Sequence, residues 1–333
     1  MLALKEKKPV FCMYDDDTVK WEHEGKRYCL HVWFEENPLN PRRDWDNITT
    51  MACWHPRYRL GDEKDDKEPE DFWRRLVREN VPEAEILAAA EAGKIKGVRL
   101  DKGEDGLIDI NETAHWKTVI GNGEPEEYLE YQGVARDSVA YYLLDDLTVR
   151  NCMELLEPYA EWMPLWLYDH SGITMSCGAR AGQYADRWDS SCVGWIVVLK
   201  NTIMQETVDY VLNENGQKIK VEHKHEGQPS TWSYLTKPLT EATWRNRAIE
   251  IMEDDVEVYD LYLTGQVYGY TLYEWDEAAQ DWDDGDSCGG FFDNDILKNG
   301  ICDEAGRGLE EAILTGQVTT GKATKKTRTY WEF

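Results

Sequence analysis

The chain has 333 residues, with 65 acidic against 37 basic side chains and a formal net charge of −28. That length builds a sizeable core in one large domain or two lobes, and a hydrophobic content of 41% excludes a disordered chain. Non-specific nucleic-acid binding needs a basic footprint that most of the sequence lacks, so the charge points to a basic protein partner or, more simply, to solubility.

Residues 9–34 read as two strands, VFCMYDDDTVKW and KRYCLHVWFEE, turning near Glu24 and Gly25. After a Pro/Asn loop, ITTMACW is a short strand. The charged LGDEKDDKEPED leads into a helix over about 70–80 with Phe72, Leu76 and Val77 on one side. A second helix follows Pro82 and stops at Gly93. Short strand-like pieces (KGVRL, LIDI, HWKTVI) occupy 94–135. Helices over about 135–146 and 148–160 precede the strand PLWLYDH, and ITMSCG and VGWIVVLK read as buried strands from their nearly continuous apolar runs. A helix start and a polar hairpin at Glu214-Asn215-Gly216 fall within 205–230. The clearest helix spans 241–263, where Ile249, Met252, Val256, Tyr259 and Leu263 make one face and Gly265 supplies the cap. The strand VYGYTLYEW and the loop DEAAQDWDDGDSCGG come next. LTGQV occurs twice, at 263–267 and 314–318, each time closing an expected helix.

These elements predict an α+β fold of mixed or antiparallel sheets with packed helices. Its expected parts are an N-terminal lobe over 1–93, an insertion or linker over 94–135, a C-terminal lobe over 136–320 and a basic tail over 321–333. The tail carries Lys322, Lys325, Lys326 and Arg328. Eight cysteines show no C-x-x-C spacing, the first residues are too charged for a secretory signal, and no apolar run approaches ~18 residues. A cytoplasmic protein with reduced thiols is expected.

The segment 248–297 holds fifteen acidic residues and no Lys or Arg. On the long helix, Glu250, Asp254, Glu257 and Asp260 form a carboxylate stripe, at a cost of about 0.2–0.5 kcal/mol per like-charged pair. The charge continues through Asp281, Asp283, Asp284 and Asp286, interleaved with Tyr273, Trp275 and Trp282. Carboxylates and aromatics on one surface imitate the charge and stacking faces of a nucleic-acid strand, and these residues are the expected partner-binding surface. A solvated acidic face is the plainer alternative.

No catalytic residue, metal ligand or cofactor is expected. Nucleotide-binding, serine-hydrolase and zinc-protease motifs are missing, and D-W-D-D-G-D at 281–286 lacks the closing Glu of a calcium loop. His223 and His225 lack a third ligand. Cys53 with His55, and Cys177 with His170 and Asp169, need a spatial contact that sequence does not supply. Two other readings compete: a metal-dependent hydrolase or nucleotide-modifying enzyme using Asp169, Asp189 and Asp286, and a structural or assembly protein.

Three stretches stand out together: RDWDNITTMACWHPRYRLGDE at 43–63, PLWLYDHSGITMSCG at 164–178 and RWDSSCVGWIVVLK at 187–200. With LYLTGQVYGYTLYEW and DSCGGFF at 261–292, they resemble a family of uncharacterised proteins of phages, plasmids and other bacterial mobile elements. The resemblance implies a setting, since accessory genes of such elements often counter host defences, but carries no site residues. The leading expectation is an anti-defence inhibitor, of anti-CRISPR or antirestriction type, that binds a host nuclease complex without chemistry or direct nucleic-acid contact.

Overall fold

The computed structural model describes residues 9–63, 66–103, 106–113, 127–178, 189–223, 231–283 and 285–323. The fold is α+β, with antiparallel sheets. In chain order, β1 (Asp17–His23), β2 (Lys26–Phe34) and β3 (Thr50–Cys53) precede α1 (Pro69–Asn80) and α2 (Glu83–Glu91). Strands β4 (Val98–Lys102), β5 (Ile108–Thr113) and β6 (Glu127–Val134) lead to α3 (Val139–Leu144) and α4 (Val149–Leu156). Then come β7 (Ala160–Asp169), β8 (Ile173–Ser176), β9 (Ser190–Leu199) and α5 (Lys200–Glu206). Short strands β10 (Val208–Tyr210), β11 (Lys220–His223), β12 (Thr231–Tyr234) and β13 (Thr236–Pro238) precede the long helix α6 (Trp244–Leu263). The chain closes with β14 (Val267–Asp276), β15 (Asp281–Trp282), β16 (Asp286–Phe292), α7 (Ile301–Ala305), α8 (Leu309–Leu314) and β17 (Val318–Lys322).

Two compact units emerge, one of residues 1–46, 166–192 and 253–333, the other of 47–165 and 193–252. The expected division into consecutive lobes is not the one the contacts make. Long-range strand pairing is the reason: β1 pairs with β17 and β2 with β14, which joins the two ends of the chain in one unit.

In the first unit the sheet runs β15-β14-β2-β1-β17, with β16 also on β14. Period-two alternation turns Val19, Trp21, Tyr28, Leu30, Val32, Tyr268 and Tyr270 into one core with Ile301, Cys302, Leu309 and Ala312 of α7 and α8. The two LTGQV copies are the same device used twice. At each, a left-handed glycine (Gly265 φ 71°, Gly316 φ 72°) ends a helix. Gln266 N–H then donates to Leu261 C=O, and Gln317 N–H to Ala312 C=O, before the chain enters a strand of the same sheet.

On the opposite face of that sheet, Thr18, His31, Thr271 and Ser287 stand in register across four strands. The His31 imidazole is buried, with Nε2 at 3.5 Å from Asp16 Oδ1 and neither ring nitrogen in a hydrogen bond among the described residues. Burial lowers its pKa, against the opposing pull of Asp15. As pH falls through about 6.5 the unfolded chain takes up a proton that the folded one resists, so stability is full at higher pH and declines as the pH drops below that value. His31→Phe is expected to flatten the fall in thermal midpoint between about pH 7.5 and 5, read by circular dichroism melts. An unchanged slope contradicts the assignment.

The second unit holds the other core. Pro69 at the first turn and Glu70 and Asp71 beside it start α1, which buries Phe72, Trp73, Leu76 and Val77. Strands β4, β5 and β6 form a three-stranded sheet, and Ile108, Ile110 and Val134 enter the same core. HWKTVI lies outside the described residues. Thr148 caps α4 by accepting the Asn151 N–H at 3.2 Å. The buried Asn151 side chain ties down both backbone groups of Lys96. In this unit β3 pairs antiparallel with β9, Thr50 opposite Val197 and Cys53 opposite Gly194.

Candidate functional site

The long helix forms as expected, but its apolar face is rotated. Trp244, Ala248, Met252, Val256 and Tyr259 are buried, while Ile249 and Leu263 are only half-buried. The carboxylate stripe divides in the same way. Glu250 is exposed and pairs with Arg247 at 2.9 Å. Asp254 and Glu257 are exposed. Asp260 is half-buried and accepts the Met175 N–H at 2.7 Å, which makes it an anchor for β8. Asp255, outside the expected stripe, holds the buried Arg42 at 3.1 Å. Much of the helix charge therefore serves structure.

The second half of the acidic segment is built differently. Residues expected as a loop are an edge strand: β15 and β16 both pair antiparallel with β14, Trp282 facing Trp275 and Asp286 facing Leu272. Gly285, between them, permits this, because a Cβ there would lie 2.3 Å from the Leu272 carbonyl oxygen. Asp283 N–H donates to Glu274 C=O at 2.9 Å and continues the ladder.

Tyr273 is buried, and Trp275 and Trp282 are half-buried. The two indoles meet edge-on at 5.2 Å. The Arg27 guanidinium sits 4.6 Å from the Trp275 ring, and Lys20 Nζ 5.5 Å from that of Trp282. Arg27 also pairs with Glu277 at 2.5 Å, and Lys26 with Glu274 at 2.6 Å. These hydrogen bonds lower the Glu277 pKa and raise that of Lys26. The aromatic members thus act as a clamp that braces the edge rather than as open stacking platforms.

What remains without compensation is narrower than the expected surface. Asp281, Asp283 and Asp286 are exposed and form no ion pair among the described residues. Asp284 lies outside the described residues. Lys20, Lys26 and Arg27 are the basic neighbours that sequence reading misses, and no local signal marks them, because they come from strands some 250 positions earlier.

The alternatives fare as follows. Among the described residues no three His, Cys, Asp or Glu side chains are grouped to hold a metal ion. Asp169 and Asp189 meet through the backbone, N–H to C=O at 2.9 Å, and Asp286 belongs to the acidic edge. His55 Nδ1 accepts the Arg57 and Tyr58 N–H groups at 3.3 and 3.2 Å, which makes it a turn residue, and Cys53 is buried. Cys177 is buried while His170 is exposed. His223 Nε2 is 2.7 Å from Ser233 Oγ; His225 is outside the described residues. Cys12, Cys29, Cys152, Cys288 and Cys302 are free thiols. Among the described residues no helix is long and apolar enough to cross a membrane. A groove of about 600 Å³ between α2, the following loop and α4 is lined by Ala88, Ala89, Ile95 and Leu155 with Lys94 and Glu154 at its edge.

Comparison with protein-family models, with curated proteins and with solved structures gives no match.

Proposed function

We propose that the chain is a non-catalytic binding protein that engages a basic partner through the acidic edge at Asp281, Asp283 and Asp286. One observation carries this reading: these three carboxylates are exposed and form no ion pair among the described residues, whereas Glu250, Asp255, Glu274 and Glu277 each meet a Lys or Arg side chain. An uncompensated run of like charge on a rigid element steers association with a complementary surface. The resemblance to mobile-element proteins supplies the setting. The partner we favour is a nucleic-acid-binding defence complex in the cytoplasm of a bacterial host, whose basic groove the acidic edge occupies in place of nucleic acid.

Capture from a bacterial lysate on the tagged full chain tests this. A nucleic-acid-binding protein retained at low salt and released at high salt is expected, because exposed charges are screened within about 8 Å at physiological ionic strength. Inhibition of that partner is expected to persist in excess chelator. Activity lost on chelation would turn the reading toward a metal-dependent enzyme.

A further inference from the structure

The sheet of the first unit has an open side. Among the described residues, β16 pairs only with β14, and no strand lies on its other flank. Asp286, Ser287, Gly289 and Gly290 are exposed there, and before the bulge an antiparallel edge strand turns the N–H and C=O of alternate residues away from its one neighbour. At the two consecutive glycines, where the strand bulges, the Glu35 carboxylate lies against the backbone and its Oε2 holds the Gly290 N–H at 2.6 Å, so the free stretch of the edge is Asp286–Cys288. An edge of this kind invites a further strand. Its chemistry is selective, because Asp281, Asp283 and Asp286 lie along the same flank. A second copy of the chain would bring like charges together, whereas an extended segment rich in Lys or Arg would satisfy the edge and its charge at once.

We propose that the open flank of β16 takes up an extended basic segment of the partner as an added strand. This rests on the acidic-edge reading and deepens it, since main-chain pairing gives the grip and the three aspartates choose the sequence. The tail over 324–333 is another basic segment; it follows β17, four strand spacings or about 19 Å across the sheet, a span ten extended residues cover, so it is one of the occupants the test distinguishes.

The test uses the full chain and a ten-residue peptide of alternating lysine and valine, with hydrogen exchange followed over 286–290. Binding is expected to slow exchange of the solvent-facing amides of β16 by about tenfold or more. N-methylation of alternate peptide amides, which keeps charge and removes the pairing groups, is expected to weaken binding about tenfold. No binding, equal binding of the methylated peptide, or unaltered exchange overturns the strand addition. Undiminished binding to the D281N/D283N/D286N variant overturns the acidic-edge reading beneath it. Two further results also overturn it by naming a different occupant. A tail variant with Lys325, Lys326 and Arg328 changed to Gln that binds the peptide about tenfold more tightly would assign the flank to the chain's own tail. A dimer dissolved by the peptide would assign it to a second copy.

Discussion

Trp73→Ala is expected to destabilise the second unit by about 3–5 kcal/mol, the range for emptying a buried aromatic site. Trp73 is fully buried and is the hub of an aromatic cluster, with Phe72, Trp162 and Trp195 all edge-on at 5.5–5.7 Å. Trp54 extends the cluster against Phe72 and Trp195. Removing the hub leaves three rings without their central contact, and helix α1 cannot collapse onto β9 without moving the rest of the core. Among the described residues the Trp73 indole N–H has no acceptor, so Trp73→Phe is expected to cost much less, having removed an unsatisfied donor together with some volume. Urea titrations of both variants make the comparison. Equal losses would mean that the cluster is not organised around this ring.

The second large effect is on binding. Converting Asp281, Asp283 and Asp286 together to Asn is expected to weaken partner association at low salt by about tenfold or more and to flatten its salt dependence. Stability is expected to stay within about 0.5 kcal/mol of the parent, because the three side chains are exposed. Asp254 and Glu257 belong in a separate variant. Asp260 belongs in neither, since its bond to the Met175 N–H makes any loss of function there ambiguous. A triple variant that binds as the parent does would assign the acidic edge to guarding the sheet against self-association.

Much of the fold is legible locally. The prolines at 69 and 82 announce α1 and α2, and Glu24-Gly25 marks the β1–β2 turn, because these signals act within a few residues. The α+β class follows from the mixture of periodicities. The edge strand was not legible. A stretch of Asp and Gly carries the lowest strand propensity, and only the close approach of Gly285 to β14 makes it one. Charge was misread for a related reason. A window of 248–297 free of Lys and Arg looks uncompensated in sequence, yet Arg42 reaches Asp255 while Lys26 and Arg27 meet Glu274 and Glu277 through pairings that sequence distance conceals. The unit boundaries stayed hidden on the same account, since β17 joins β1 across almost the whole chain.

The most direct measurement is a paired capture from one bacterial lysate, on the tagged parent and on D281N/D283N/D286N, at low and high salt, with retained proteins identified. The account predicts a nucleic-acid-binding protein held by the parent at low salt, released at high salt, and missing from the variant at both. The same protein held equally by parent and variant would contradict it.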